Sequence, residues 1–139
     1  MDEERLGFHV ETPLEFDAAE AAVREALAAE GFGILTEVDV HATLDLKLGV
    51  EIERYKILGA CNPKYAHQAL EIWRGFGLLM PCSVVVQDAG DHRVVMAFDP
   101  LGIQEVNSTP ELVPVAEAVH AALERALDRI ERVSASAAN

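Results

Sequence analysis

The period of apolar and polar positions changes several times along the chain, and each change predicts an element. Phe16, Val23 and Leu27, with Ala19 and Ala26, fall on one helical stripe. Asp17 with Glu20 three residues on resembles a capping box, and Gly31 stands where a helix ends in a left-handed residue. A helix is therefore predicted over Ala18 to Glu30. Phe8 to Glu11 ("FHVE"), ahead of it, reads as a short edge strand. "GILTEVDV" alternates with period two, which places Ile34, Thr36, Val38 and Val40 on one face and Leu35, Glu37 and Asp39 on the other. "HATLDLKLG" ends in Gly49 and has the length of a short helix. "ERYKILGACN" predicts a strand with Tyr55, Ile57, Gly59 and Cys61 on one face and Lys56, Leu58 and Ala60 on the other.

Pro63 stops strand pairing and suits a first helical turn, so "NPKYAHQALEIW" reads as a helix capped by Asn62. "PCSVVVQD" and "HRVVMAFD" flank a turn at Ala89 to Asp91 and form a hairpin. Cys82, Val84 and Val86 share one face of its first strand; Val94, Met96 and Phe98 share one face of the second. "PLGIQEVNSTP" reads as a loop. In the last segment Ala116, Val119, Leu123, Ala126, Ile130 and Val133 recur at spacings of three and four, a narrow apolar seam on a long helix that starts near Pro114. "SASAAN" reads as a frayed end. The order of elements predicts an α+β fold, a mostly antiparallel sheet of about five strands with helices packed on one face. One domain over residues 1–139 is expected, its core spanning about 8 to 133.

Composition narrows the function classes. Half of the 139 residues are hydrophobic and a quarter are charged, which reads as globular. The formal net charge is −13, from 11 Lys and Arg against 24 Asp and Glu. A nucleic-acid partner needs a cationic footprint, and an anionic membrane surface repels such a chain, so neither is expected. No apolar run reaches the roughly 18 to 20 residues of a membrane span. The acidic start "MDEERLGFHVE" has no basic or apolar signal region, and cytoplasm is the expected location.

Certain stretches resemble a known family. Gly31-Phe32 after the first helix, the pattern Y-x-I-L-G-A-C-N-P over Tyr55 to Pro63, A-x-x-A-L over Ala66 to Leu70, and L-x-P-C-x-V-V-V over Leu79 to Val86 are similar to the bacterial domain-of-unknown-function 302 family. The resemblance runs from about Phe8 to Val133. It implies a small α+β domain with an antiparallel sheet, assembled as a homodimer, and implies no activity. Ser83 departs from the residue types the resemblance leads one to expect there.

Candidate chemistry centres on the two cysteines. Cys61 closes a strand immediately before a helix start, where the helix dipole favours an anion and would lower a thiol pKa. Cys82 opens another strand after Pro81, with a cis Met80–Pro81 bond as one way to aim it at its neighbour. Two cysteines with no CxxC motif argue against a structural disulfide and against a paired zinc motif. Adjacent strands would bring both sulfurs to one rim of the sheet. That rim, formed by Cys61, Asn62, Pro63 and Cys82, is the candidate site for a small anion, a metal or a sulfur species; Cys61, Cys82 and His67 are the metal candidates, and no cofactor is identified. A thiol-dependent enzyme with Cys61 as nucleophile and His67 as base is an alternative. A structural homodimer paired through the seam of the last helix is another. Against all three stands plain burial, because free cysteines pack as small hydrophobes. His67 also reads as a solvated surface histidine, Asp39 as a helix cap near His41, and Asp88, Gly90 and Asp91 as turn residues.

Overall fold

The structure, a computed structural model, describes residues 6–138; residues 1–5 of the acidic start and Asn139 of the predicted frayed end lie outside them. Five strands form one antiparallel sheet: β1 (Gly7–Thr12), β2 (Gly33–Asp39), β3 (Tyr55–Cys61), β4 (Cys82–Asp88) and β5 (Arg93–Phe98), in the order β1-β5-β4-β3-β2. The helices are α1 (Phe16–Ala29), α2 (Val40–Leu48), α3 (Pro63–Ile72) and α4 (Leu112–Ala138). Two 3₁₀ segments, Arg74–Leu79 and Pro100–Glu105, lie before β4 and after β5. The α+β class and the antiparallel sheet follow the sequence pattern, and β1 is an edge strand.

One face of the sheet is buried and the other is open. The registers align Val10, Val95 and Val86 in one row and Ala97, Val84 and Leu58 in the next. These six side chains join one core with Val23 and Leu27 of α1, Ala69 of α3, and Leu123 and Ile130 of α4. Fully burying each such Leu, Ile or Val stabilises by about 1.5–3 kcal/mol, enough to fix which face turns inward. The Cys61 stripe of β3, with Tyr55 and Ile57, looked equally apolar in sequence. The inward stripe is the other one, where Leu58 and Ala60 are fully buried.

A bulge in β2 changes the expected alternation. Ile34 pairs with Ala60 and Thr36 with Gly59, so Leu35 is the extra residue. One extra residue moves everything after it to the opposite face. Ile34 therefore packs against the core, whereas Thr36 and Val38 join the open face. Glu37 turns toward the helices, where it pairs with Arg24 at 2.6 Å and with Lys56 at 3.2 Å.

Several local expectations need correction. Asp17 and Glu20 make no capping box: the N-cap of α1 is Glu15, without a side-chain cap bond. Asp17 instead pairs with Arg54 at 3.0 Å, and Glu20 accepts from Lys56 at 2.8 Å and Arg24 at 2.9 Å. The end of α1 is as expected, with Gly31 at φ +88°. Helix α4 starts before Pro114 and continues to Ala138, within the stretch read as frayed. Ser134 is buried there and shares a 2.6 Å hydrogen bond with the Thr12 hydroxyl of β1. The seam of α4 packs on the chain's own core from Val119 to Ile130, Ala116 is buried as well, and Val133 alone of the seam is half exposed. It is also broader than the sequence suggested, since Val115, Ala122 and Leu127 are buried beside it. Among the described residues, no helix is long and apolar enough to cross a membrane.

Candidate functional site

Strands β3 and β4 are neighbours, and their register sets Ala60 opposite Cys82. Cys61, one residue beyond Ala60, is the last residue of β3, and Cys82 is the first of β4. Both thiols are thereby held at the same end of the sheet. Close backbone approach is needed here. A Cβ on Gly59 would lie 2.7 Å from the Pro81 ring carbon Cγ and would overlap the Thr36 hydroxyl. The Met80–Pro81 peptide is cis.

Cys61, Asn62, Pro81 and Cys82 line one small cavity of about 40 Å³. Its walls are the sheet end at Ala60, Tyr65 and Ala66 of α3, Phe76 and Met80 near the first 3₁₀ segment, and Val115, Ala116 and Val119 of α4. One water needs roughly 10–15 Å³ by this measure, so the space suits a ligand of a few heavy atoms. No Asp, Glu, Lys, Arg or His lines it.

The electrostatics follow from that lining. Burial pushes the Cys61 thiol above its ordinary value. Cys82 is pushed up to about 11, first by burial and then by the neighbouring Cys61. Both thiols are neutral at pH 7, contrary to the lowered value expected of Cys61 from its position before α3. Desolvation penalises the thiolate form. Both cysteines are free and each is partly exposed.

The other candidates are dispersed. Asn62 occupies the N-cap position of α3 but makes no side-chain cap bond. Its amide Nδ2 instead donates to the Glu30 carbonyl at 3.1 Å, tying the start of α3 to the end of α1. Pro63 fills the first turn of α3. His67 is not on the cavity wall; its side chain is 78% exposed and lies 3.7 Å from Glu71. Asp39 caps α2 by accepting from Ala42 N–H at 2.9 Å, and His41 Nδ1 is 2.7 Å from the Ile52 carbonyl. Asp88 accepts from Gly90 N–H at 2.9 Å in the hairpin turn. Among the described residues, no group of three or more His, Cys, Asp or Glu could hold a metal ion. Sequence reasoning missed Met80, Tyr65, Phe76 and Val119 as walls of the site. Phe76 and Met80 lie in "RGFGLLMP", which has no strand or helix period to place them.

The open sheet face is a second feature. Val38, Ile57, Val85, Met96 and His9 form a row across all five strands. Beside it runs a groove of about 470 Å³ lined by Leu78, Met80, Pro81, Val85, Met96 and Phe98, among others. Met80 and Pro81 thus border both the cysteine cavity and this groove.

The chain's similarities agree with this architecture. A family model described as "Domain of unknown function DUF302" matches residues 8–130. The crystal structure of an uncharacterized conserved protein DUF302 from Bacillus stearothermophilus is similar, with a TM-score of 0.84 at 25% sequence identity. The match covers 90% of this chain and 98% of that chain. No curated protein matches the chain.

Proposed function

The chain belongs to the DUF302 family, and from that premise we propose that it is a small-ligand binding domain whose site is the Cys61/Cys82 cavity. The observation that carries this reading is that both cysteines, at adjacent strand ends though on alternate faces of the sheet, line the same apolar space. The lining favours one ligand class over the others considered. A small anion would enter without a cationic partner, and burying a charge unpaired costs several kcal/mol. The Asn62 amide on the cavity wall is already engaged with the Glu30 carbonyl. An uncharged or soft, sulfur-seeking species meets no such penalty.

A thiol-dependent enzyme fits less well. An activated nucleophile needs a lowered pKa or an adjacent base, whereas both thiols are raised and His67 faces solvent. A cytoplasmic location belongs to the same proposal, supported by two free thiols in a chain with no disulfide among its described residues.

Dimethyl sulfide, small, soft and unreactive toward thiols, tests the reading by NMR titration. Amide shifts confined to Ala60–Asn62 and Met80–Cys82, and lost in an Ala116→Leu variant that fills the cavity, are expected. Absent shifts, or shifts spread over the open sheet face, would contradict it.

A homodimer is the second part of the proposal. The row from Val38 to His9 is free of carboxylates and cationic Lys or Arg on a chain whose net charge is −13. Two copies repel one another over most of their surface, and this face lets them meet without opposing charges. Sedimentation equilibrium measures the two-fold state directly.

A further inference from the structure

Resting on the cavity reading above, we propose that Cys61, Cys82 and Met80 together form a site for a single soft, univalent d¹⁰ metal ion, of the copper(I) or silver(I) class. All three sulfur-bearing residues line the same cavity of about 40 Å³. Met80 is what distinguishes this constellation from a pair of buried thiols. Thioethers and thiolates are soft donors that select such ions over zinc, magnesium or calcium. The site also lacks a third His, Cys, Asp or Glu among the described residues, which disfavours tetrahedral zinc.

Charge balance points to the same class. No charged residue lines the cavity, so a bound ion must be neutralised by its own ligands. On binding, one thiol S–H bond breaks, a metal–sulfur bond forms, and the proton leaves to solvent. The resulting thiolate cancels the single positive charge, while the other thiol and the Met80 thioether complete the shell as neutral donors. No electron is transferred. A divalent ion would need both thiols deprotonated in this apolar space, and a hard one would find no carboxylate ligand there. Because a proton must leave, affinity rises with pH.

Position supports access. Met80 borders both the cavity and the groove on the open sheet face, and the neighbouring Leu78 is 86% exposed. The donor set therefore lies beside solvent rather than under the central strands.

Silver(I) nitrate, titrated calorimetrically into the reduced full chain in chloride-free buffer, tests the proposal. One ion per chain is expected for the wild type. Met80→Leu conserves volume, so the fold is retained, and its affinity is expected to fall about 10- to 100-fold. Cys82→Ser and Cys61→Ser are expected to fall further, with unchanged circular dichroism. Wild-type affinity in Met80→Leu would overturn the three-sulfur site and leave the cavity reading standing. Wild-type affinity in both cysteine variants would overturn the two together. Displacement of silver(I) by equimolar zinc(II) would also overturn the assignment.

Discussion

Gly59 approaches Thr36 and Pro81 so closely that a side chain there has no room. Its Cβ would meet the Pro81 ring and the short β-branched Thr36 side chain rather than the end of a long flexible one. Gly59→Ala is therefore expected to cost about 1–3 kcal/mol of stability, by overpacking at the strand end that carries Cys61. Urea denaturation checks this; an unchanged midpoint would mean that the β3–β4 end is looser than described. The thiols themselves were legible as candidates because strand ends and a helix start are visible in sequence. Their protonation was not. Proximity to the start of α3 suggested an activated Cys61, but pKa depends on what surrounds the sulfur, and the walls come from Phe76, Met80 and Val119, far apart in the chain. The Cys82 value, raised toward about 11, carries a consequence for stability. A thiol that holds its proton more tightly when folded contributes stability below the unfolded value of about 8.5, and that contribution disappears as pH rises toward the folded one. Stability should fall between about pH 8.5 and pH 11, and less steeply in Cys82→Ala.

Elements were legible where one period ran unbroken. The stripe of α1, the alternation of β3 and the hairpin turn at Gly90 all appear where the pattern puts them. Strand β2 was misread because a bulge is a register event, invisible to a count of alternating residues. Leu35 is the inserted residue, and only pairing with β3 reveals it. The consequence is a network: Glu37 reaches Arg24 and Lys56 from the helix side of the sheet. The end of α4 was misread for a different reason. Ser134 is polar, yet it falls four residues after Ile130 and continues the buried side of the helix. Its hydroxyl lies 2.7 Å from the Ile130 carbonyl and 2.6 Å from Thr12 Oγ1, which joins the last helix to the edge strand. Ser134→Ala is expected to cost about 1 kcal/mol, the ordinary contribution of one buried hydrogen bond. Thermal unfolding measures it, and an unaltered melting temperature would show that this contact does not hold α4 against β1.

At the scale of the whole molecule, two surfaces differ in kind. The helical side carries ion pairs, among them Glu30 held by Arg125 at 2.8 Å and Arg129 at 3.2 Å. Those hydrogen bonds hold the Glu30 carboxyl below its ordinary value, with burial opposing them. A depressed carboxylate contributes stability above its unfolded value and loses it as pH falls, so acid weakens the α1–α4 junction. The open sheet face bears no such pairs along its central row, and a two-fold dimer through it is expected to fail in Val85→Glu. Sedimentation of that variant should give a folded monomer; a wild-type dimer would move the interface elsewhere. The strand order and the inward stripe of β3 were beyond sequence because several apolar stripes competed for one core. The pairing of strand ends that joins the two cysteines was only a conditional expectation for the same reason.

The account depends most on the shared cavity, and native thiol modification with reagents of graded size measures it directly. At pH 8.5 the folded chain should accept two methylthio groups from methyl methanethiosulfonate, Cys61 before Cys82, with Cys82 accelerating as pH rises. A bulky aromatic disulfide should leave Cys82 untouched. If Cys82 resists the small reagent until denaturant is added, the two sulfurs share no accessible space and the proposed site does not exist.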